Sequence, residues 1–147
     1  RFCGLFRGTR PLAAECLGLG YDPLRGVGLS HNKALAVLDL AAKTGDGTLP
    51  SMRTIYRLDD QAVIDKLCQV RGIGTWTAQM FLMFHLGRED VMPTGDLGIR
   101  RAVMIEYELP ELHGHDQLIE LSEAWRPHRT LACLYLWASV DASPDGS

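Results

Sequence analysis

Apolar residues in this chain recur at spacings of three and four in short blocks, separated by glycine, proline and capping residues, and almost nowhere alternate. That is the period of amphipathic helices, so the chain reads as all-α, a compact multi-helix domain. Pro11 fits the first turn of a helix through Leu12 to Leu17 that stops at Gly18 and Gly20. Asp22-Pro23 opens a short turn or helix ending at Gly26 to Gly28. Ser30 is the N-cap of a longer helix in which Leu35, Leu38 and Ala42 mark one face, Ala34, Val37 and Ala41 widen it, and Gly45 stops it. A short helix follows Pro50. Asp59 caps the next, with Leu58 and Val63 as a hydrophobic staple and Ile64 and Leu67 facing inward. Further helices are predicted from Thr75 to Leu86, closed by Gly87, from Asp96 to about Tyr107, from Asp116 to Trp125, and after Pro127. The polar stretch 141–147 is expected to fray.

Composition narrows what such a bundle does. The 147 residues, 46% of them hydrophobic, make one soluble domain, 1–147, with a core of its own. A net charge of -3 supplies no global positive field, so any contact with nucleic acid must be local. Cys3, Cys16, Cys68 and Cys133 are scattered without metal-ligand spacing and read as reduced, mostly buried thiols, which points to an intracellular protein. No signal peptide is visible, and the apolar run from Met80 to Leu86 is too short to span a bilayer, so no membrane role is expected.

The local feature that stands out is Val70-Arg-Gly-Ile-Gly-Thr-Trp-Thr-Ala, followed by Met-Pro-Thr-Gly-Asp-Leu-Gly-Ile-Arg-Arg to Arg101. The first part is a tight turn between two helices, a helix-hairpin-helix over residues 60–86. Gly72 and Gly74 allow backbone angles closed to other residues and leave no side chain between main chain and ligand. Amides of the turn and of the next helix start can donate to a phosphate, helped by the positive end of the helix dipole, while Ile73 anchors the turn in the core. A plain helix-helix corner is the alternative. Asp96, ahead of Leu97, Gly98 and Ile99, is a good N-cap. A carboxylate there is also favoured in its charged form and can face a cation.

These residues resemble the helix-hairpin-helix DNA glycosylases, and within them the monofunctional 3-methyladenine type. The resemblance is close from Leu67 to Val103 and weaker through Leu24-Arg-Gly-Val-Gly-Leu-Ser-His-Asn-Lys33 and Trp125-Arg-Pro-His-Arg-Thr-Leu-Ala132 to Trp137. It implies that Asp96 is the catalytic aspartate of a base excision repair enzyme, which flips an alkylated purine out of double-stranded DNA and hydrolyses its bond to the sugar. Trp76 stands where the bifunctional members carry the lysine that attacks the sugar, and an indole forms no Schiff base, so no strand cleavage is expected. The clustered C-terminal cysteines of the endonuclease III type are absent, so no iron-sulfur cluster is expected. No cofactor is required on this reading; the hairpin of the family can hold a sodium or potassium ion on main-chain carbonyls that map to Cys68, Val70 and Ile73.

Trp76 also suggests the substrate. Alkylation at N3 or N7 makes a purine cationic, and an indole face favours a cation by about 0.5 to 2 kcal/mol. Trp76 as a core residue is the alternative. Met80, one turn on, is a second candidate for the base pocket, and Trp125 and His128 match family positions near it. DNA-binding candidates are Arg71, Gly72, Ile73, Gly74, Thr75, Thr77 and Arg100; for Arg100 and Arg101, phosphate contact and simple solvation weigh equally. Arg71 replaces the proline of many relatives. Met80, Phe81, Met83 and Phe84 read as a stripe facing the core, His85 as a core histidine with its bonds made, and His113, His115 and Asp116 as a loop cluster without metal. Leu24-Arg-Gly-Val-Gly echoes the hairpin, but an ordinary C-terminal cap is the favoured reading. The chain begins at Arg1 and is expected to lack the family's N-terminal portion; pairing of two chains is one way to cover the apolar edge left there. The rival functions are a hairpin DNA-binding module that has lost catalysis and a purely structural domain. Repair of genomic DNA would place the protein in the nucleus of a eukaryote or the nucleoid of a bacterium.

Overall fold

The helices of the computed structural model, which describes residues 1–6 and 11–141, are α1 Ala13–Leu19, α2 Tyr21–Gly26, α3 His31–Gly45, α4 Met52–Ile55, α5 Asp60–Leu67, α6 Thr75–Phe84, α7 Leu97–Glu106, α8 His115–Ser122 and α9 Arg129–Asp141. Short 3-10 turns cover Phe2–Leu5 and Glu123–Trp125, and the described residues contain no strand. The expected caps set the starts. Ser30 Oγ accepts from Lys33 N at 3.3 Å, Asp59 Oδ1 from Ala62 N at 2.8 Å and Asp96 Oδ1 from Ile99 N at 2.9 Å, each satisfying a donor that has no partner inside its own helix.

The chain divides into two compact units, residues 1–78 and 79–147, the division falling within α6. In the first, α1 and α2 pack on α3. Phe6, Cys16 and Ala41 form a buried cluster, joined by Phe2, Leu5, Ala13, Leu19 and Val37. Leu24, Ala34 and Val63 are fully buried. On α3 the flank expected only to widen the apolar face is the one packed most deeply: Ala34 and Ala41 are buried, whereas Leu35, Leu38 and Ala42 are half-buried. Small side chains let neighbouring helices come close, so the buried line follows the alanines rather than the leucines. On α5, Val63 and Leu67 are buried and Ile64 is half-buried.

In the second unit α7 packs on α9 around Ile99, Ala102, Val103, Leu118 and Cys133, all fully buried. The buried Arg129, at the start of α9, donates through Nε to Asp90 Oδ1 at 2.6 Å and through Nη2 to Asp90 Oδ2 at 3.0 Å and its carbonyl at 2.9 Å. Burial alone would raise the Asp90 carboxyl, but the Arg129 hydrogen bonds and charge outweigh it and hold the group below its ordinary value. Thr130 Oγ1 donates to Arg88 O at 2.7 Å and accepts from Val91 N at 3.1 Å, so the first turn of α9 pins the segment that leads to Asp96.

Two expectations fail on α6 and just beyond it. His85 is exposed and stacks on Phe81, with ring centroids 4.8 Å apart, so it is a surface histidine rather than a core one. Phe84 is 63% exposed, while Leu82 and Met83 are buried. This run is apolar on every side, so its spacing holds no information about which face turns inward. The stretch expected to fray, past Asp141, lies outside the described residues; Asp141 itself closes α9. No helix of the described residues is long and apolar enough to cross a membrane.

Candidate functional site

The hairpin belongs to the first unit. After α5, Val70 is buried and its carbonyl accepts from Ile73 N at 3.1 Å, closing the turn. Gly72 has φ +77, a left-handed conformation that favours glycine. A Cβ added at Gly72 would sit 3.4 Å from Ala36 Cβ on α3, an ordinary contact, so the angle and not crowding selects this glycine. Gly74 differs: its φ is not positive, and a Cβ there would meet nothing within 4 Å. Gly74 stands at the head of α6, where its carbonyl accepts from Ala78 N at 3.0 Å, and it leaves that helix start open to close approach from outside. Ile73 is half-buried; Arg71, Thr75 and Thr77 are exposed. Trp76, at 48% exposure, is not a core residue. Met80, four positions further along α6, is half-buried.

The acid belongs to the second unit. Asp96 ends a tight turn in which its N–H donates to Pro93 O at 2.9 Å, and it caps α7 through Oδ1. The same Oδ1 accepts from the indole Nε1 of Trp137, on α9, at 3.0 Å. Two donors on one oxygen fix the carboxylate's rotamer. Gly98 explains itself against this pair, because a Cβ there would lie 3.0 Å from Asp96 Oδ1 and 3.2 Å from Trp137 Cδ1. Phe84 stacks on Trp137 at 6.0 Å between ring centroids. Thr94, buried two residues before the acid, shares a 2.6 Å hydrogen bond with His115 Nδ1. Burial pushes the nearby Cys133 thiol up to about 12, with the negative charge of Asp96 adding to the rise, so this sulfur is no nucleophile at neutral pH. Sequence reasoning did not single out Trp137. The bond spans 41 positions, and its one sequence signal was a glycine two residues after the acid, where a helix start has no need of one.

The remaining candidates are placed elsewhere. Trp125 donates through Nε1 to Tyr107 Oη at 3.3 Å, just past the end of α7, about 16 Å along the helix axis from Asp96. With Glu106, Tyr107, Ala132 and Tyr135 it lines a cavity of about 400 Å³ whose lining does not include Asp96 or Trp137. His128 is exposed and lies on another cavity, with Met83, Gly87 and Leu131. Neither Trp125 nor His128 is therefore brought to the acid. Arg100 turns inward, its Nε donating to His113 O at 2.9 Å, while Arg101 is exposed. No group of three or more metal-ligating side chains occurs among the described residues, the His113, His115 and Asp116 loop included. The echo at Leu24 is a helix C-terminus, with Val27 after α2 and Gly28 at φ +96.

No family model matches the chain. DNA-3-methyladenine glycosylase 1 of Schizosaccharomyces pombe is 35% identical over 130 residues, which are 88% of this chain and 57% of that protein. The solved structure of the 3-methyladenine DNA glycosylase Mag1 of the same yeast, in complex with abasic DNA, matches with a TM-score of 0.87 and 32% identity, over 97% of this chain and 70% of that one. The chain belongs to the 3-methyladenine DNA glycosylase family. A DNA-3-methyladenine glycosidase structure from Bacillus halodurans matches this family member at a TM-score of 0.83 and 34% identity, over 95% of this chain and 64% of that one. The chain spans about half the length of the curated glycosylases it matches, 42% of one and 57% of another.

Proposed function

We propose that this chain forms the core of a monofunctional DNA glycosylase of base excision repair, acting inside the cell on alkylated purines such as 3-methyladenine in double-stranded DNA. The observation that carries the reading is the Asp96 carboxylate, held by Ile99 N and the Trp137 indole at the head of α7 in a member of this family. The amides of Gly72 and of the α6 start from Gly74 to Thr77, together with the Arg71 side chain, hold a phosphate, which sets register without reading sequence. The Ile73 amide is engaged by Val70 O. The damaged base turns out of the stack and its cationic ring meets the exposed face of Trp76. As the glycosidic bond lengthens, positive charge develops on the sugar and the Asp96 carboxylate stabilises it. Water adds to the sugar carbon and gives up a proton to solvent, leaving a hydroxyl there, while the bonding pair leaves with the purine and the alkylated base departs neutral. Trp76 offers no amine, so no Schiff base forms and the strand is not nicked.

On this reading the carbonyls of Cys68, Val70 and Ile73 would hold a sodium or potassium ion at the hairpin. Val70 O accepts one hydrogen bond, from Ile73 N, and a carbonyl oxygen has a second lone pair to offer. The ion would add positive charge where the phosphate docks.

Asp96→Asn tests the reading. Release of 3-methyladenine from methylated duplex is expected to fall by about 100-fold or more while DNA affinity is unchanged or slightly tighter, because the carboxylate acts on charge present only in the transition state. A variant that keeps most of its excision rate removes Asp96 from the mechanism. The unaltered chain is measured alongside: retention on DNA with no base release above background would leave the DNA-binding module as its function.

A further inference from the structure

The hairpin's main chain is tied to α3. Asp39 Oδ2 accepts from the backbone N–H of Arg71 at 2.7 Å, across 32 positions of sequence. Lys43 Nζ donates to both oxygens of the same carboxylate at 2.6 Å. One turn earlier, Ala36 is the residue that Gly72 approaches. Positions 36, 39 and 43 are spaced by three and four and so share one stripe of α3, distinct from the buried line of Ala34 and Ala41. A small residue, an acid and a base thus meet the turn in order. The Arg71 amide lies beyond the end of α5, outside the helical ladder, and this bond is what satisfies it.

We propose that Asp39 is a positioning residue for DNA binding: it fixes the Arg71 amide, and with it the aim of the hairpin amides that follow, while Lys43 offsets a negative charge that would otherwise repel the phosphate. The proposal rests on the phosphate-binding reading of the hairpin. The Arg71 amide first, and the Lys43 ammonium second, hold the Asp39 carboxyl below its ordinary value, so the acceptor is ionised at neutral pH. The cluster separates two physical effects. If only charge mattered, removing a carboxylate beside a bound phosphate would tighten DNA binding whatever replaced it. If the clamp matters, the outcome depends on whether the replacement still accepts from Arg71.

The test measures the affinity of the full chain for a fluorescent undamaged duplex and a matched duplex with an abasic site. Asp39→Ala is expected to weaken both by about tenfold, the scale of a lost hydrogen bond to a charged group. Asp39→Asn, which keeps an oxygen for the Arg71 amide, is expected to bind within about twofold of the unaltered protein or tighter. In excision of methylated bases the Asp39→Ala loss should fall on KM rather than kcat, a split that general destabilisation would not produce. Asp39→Ala binding as tightly as the unaltered chain, or tighter, overturns the proposal. Gly72→Val is measured in parallel. If it too leaves affinity unchanged, the hairpin reading itself fails; if it weakens binding and Asp39→Ala does not, only the clamp fails. Should Asp39→Ala not fold, hydrogen exchange in the unaltered protein decides: protection of the Arg71 amide above that of Gly74 supports the clamp, and equal exchange overturns it.

Discussion

Two five-residue turns in this protein share almost one spelling, Leu24-Arg-Gly-Val-Gly and Val70-Arg-Gly-Ile-Gly, and do different physical work. In the first, Gly26 is still helical and the positive φ falls on the second glycine, Gly28. The Arg25 guanidinium reaches forward to Leu29 O at 2.6 Å, and Ser30 caps the next helix with its own side chain. That helix start is already occupied. In the second, the positive φ falls on the first glycine, Gly72, the turn is tied from behind by Asp39, and the residue ahead of the next helix is Gly74, which has no side chain to fill the space. A helix start becomes available to an outside anion when the chain does not supply its own cap. Glycine count does not decide this; the residue at the head of the helix does, Ser30 in the first case and Gly74 in the second.

Exchanging the two left-handed glycines tests that difference most severely. Gly72→Val should lower affinity for damaged and undamaged duplex alike by about tenfold or more, because a β-branched residue resists φ near +77 and the hairpin amides lose their aim. Gly28→Val meets the same resistance but should only lower stability, by about 1 to 3 kcal/mol in thermal or denaturant unfolding, with affinity per folded molecule unchanged. Equal effects on DNA binding would erase the distinction.

The aromatic just inside each helix gives the next contrast. Trp76→Ala should reduce excision of cationic alkylpurines more than of a neutral lesion such as hypoxanthine, by about 2- to 30-fold, the range set by a cation-π contribution. His31, whose Nδ1 is bonded to Tyr21 Oη at 2.7 Å, should tolerate alanine without any change in lesion preference. A parallel fall on both lesion classes with a large drop in Tm would make Trp76 structural.

Cap exchange is milder. Ser30→Ala should cost about 1 kcal/mol in unfolding and leave DNA affinity alone. Gly74→Ser gives the second turn the first one's device, and should stabilise the protein by a few tenths of a kcal/mol while weakening DNA binding about twofold. Tighter binding by Gly74→Ser would contradict an open helix start.

The smallest effect is acid dependence. The Asp39 carboxyl, faced by Lys43 and Arg71 with Asp46 nearby, is held below its ordinary value in the folded chain. Its tie is therefore complete above the ordinary carboxylate range and is lost as pH falls through the depressed value. The first turn is tied by the Arg25 guanidinium on Leu29 O and has no carboxylate in that role. Amide exchange at Arg71, taken relative to Gly28 at each pH, should rise on acidification, and a constant ratio would show that the carboxylate is not what holds the second turn.

What was legible in the sequence follows the range of the interaction. Ser30, Asp59 and Asp96 as caps, and the left-handed Gly72, could be found because each acts within three or four residues of itself. Trp137 and Asp39 could not, since their bonds cross 41 and 32 positions and neither residue type is unusual where it stands. His85 was misjudged because a run apolar on all sides has no periodic minimum to mark its outer face. Trp125 is a base-pocket candidate on resemblance alone, and its indole N–H is bonded to Tyr107 at the far end of α7, a partner 18 positions away that no local pattern marks.

The four thiols supply a practical use for the molecule that is independent of any activity. Cys16 and Cys133 are buried, and burial raises both thiols, so alkylating reagents at neutral pH will find Cys3 and Cys68 instead. Cys68 is two residues from Val70, where the hairpin begins. Replacing Cys3 by serine would leave one native attachment point for a dye or spin label beside the hairpin turn, with no cysteine to be engineered in.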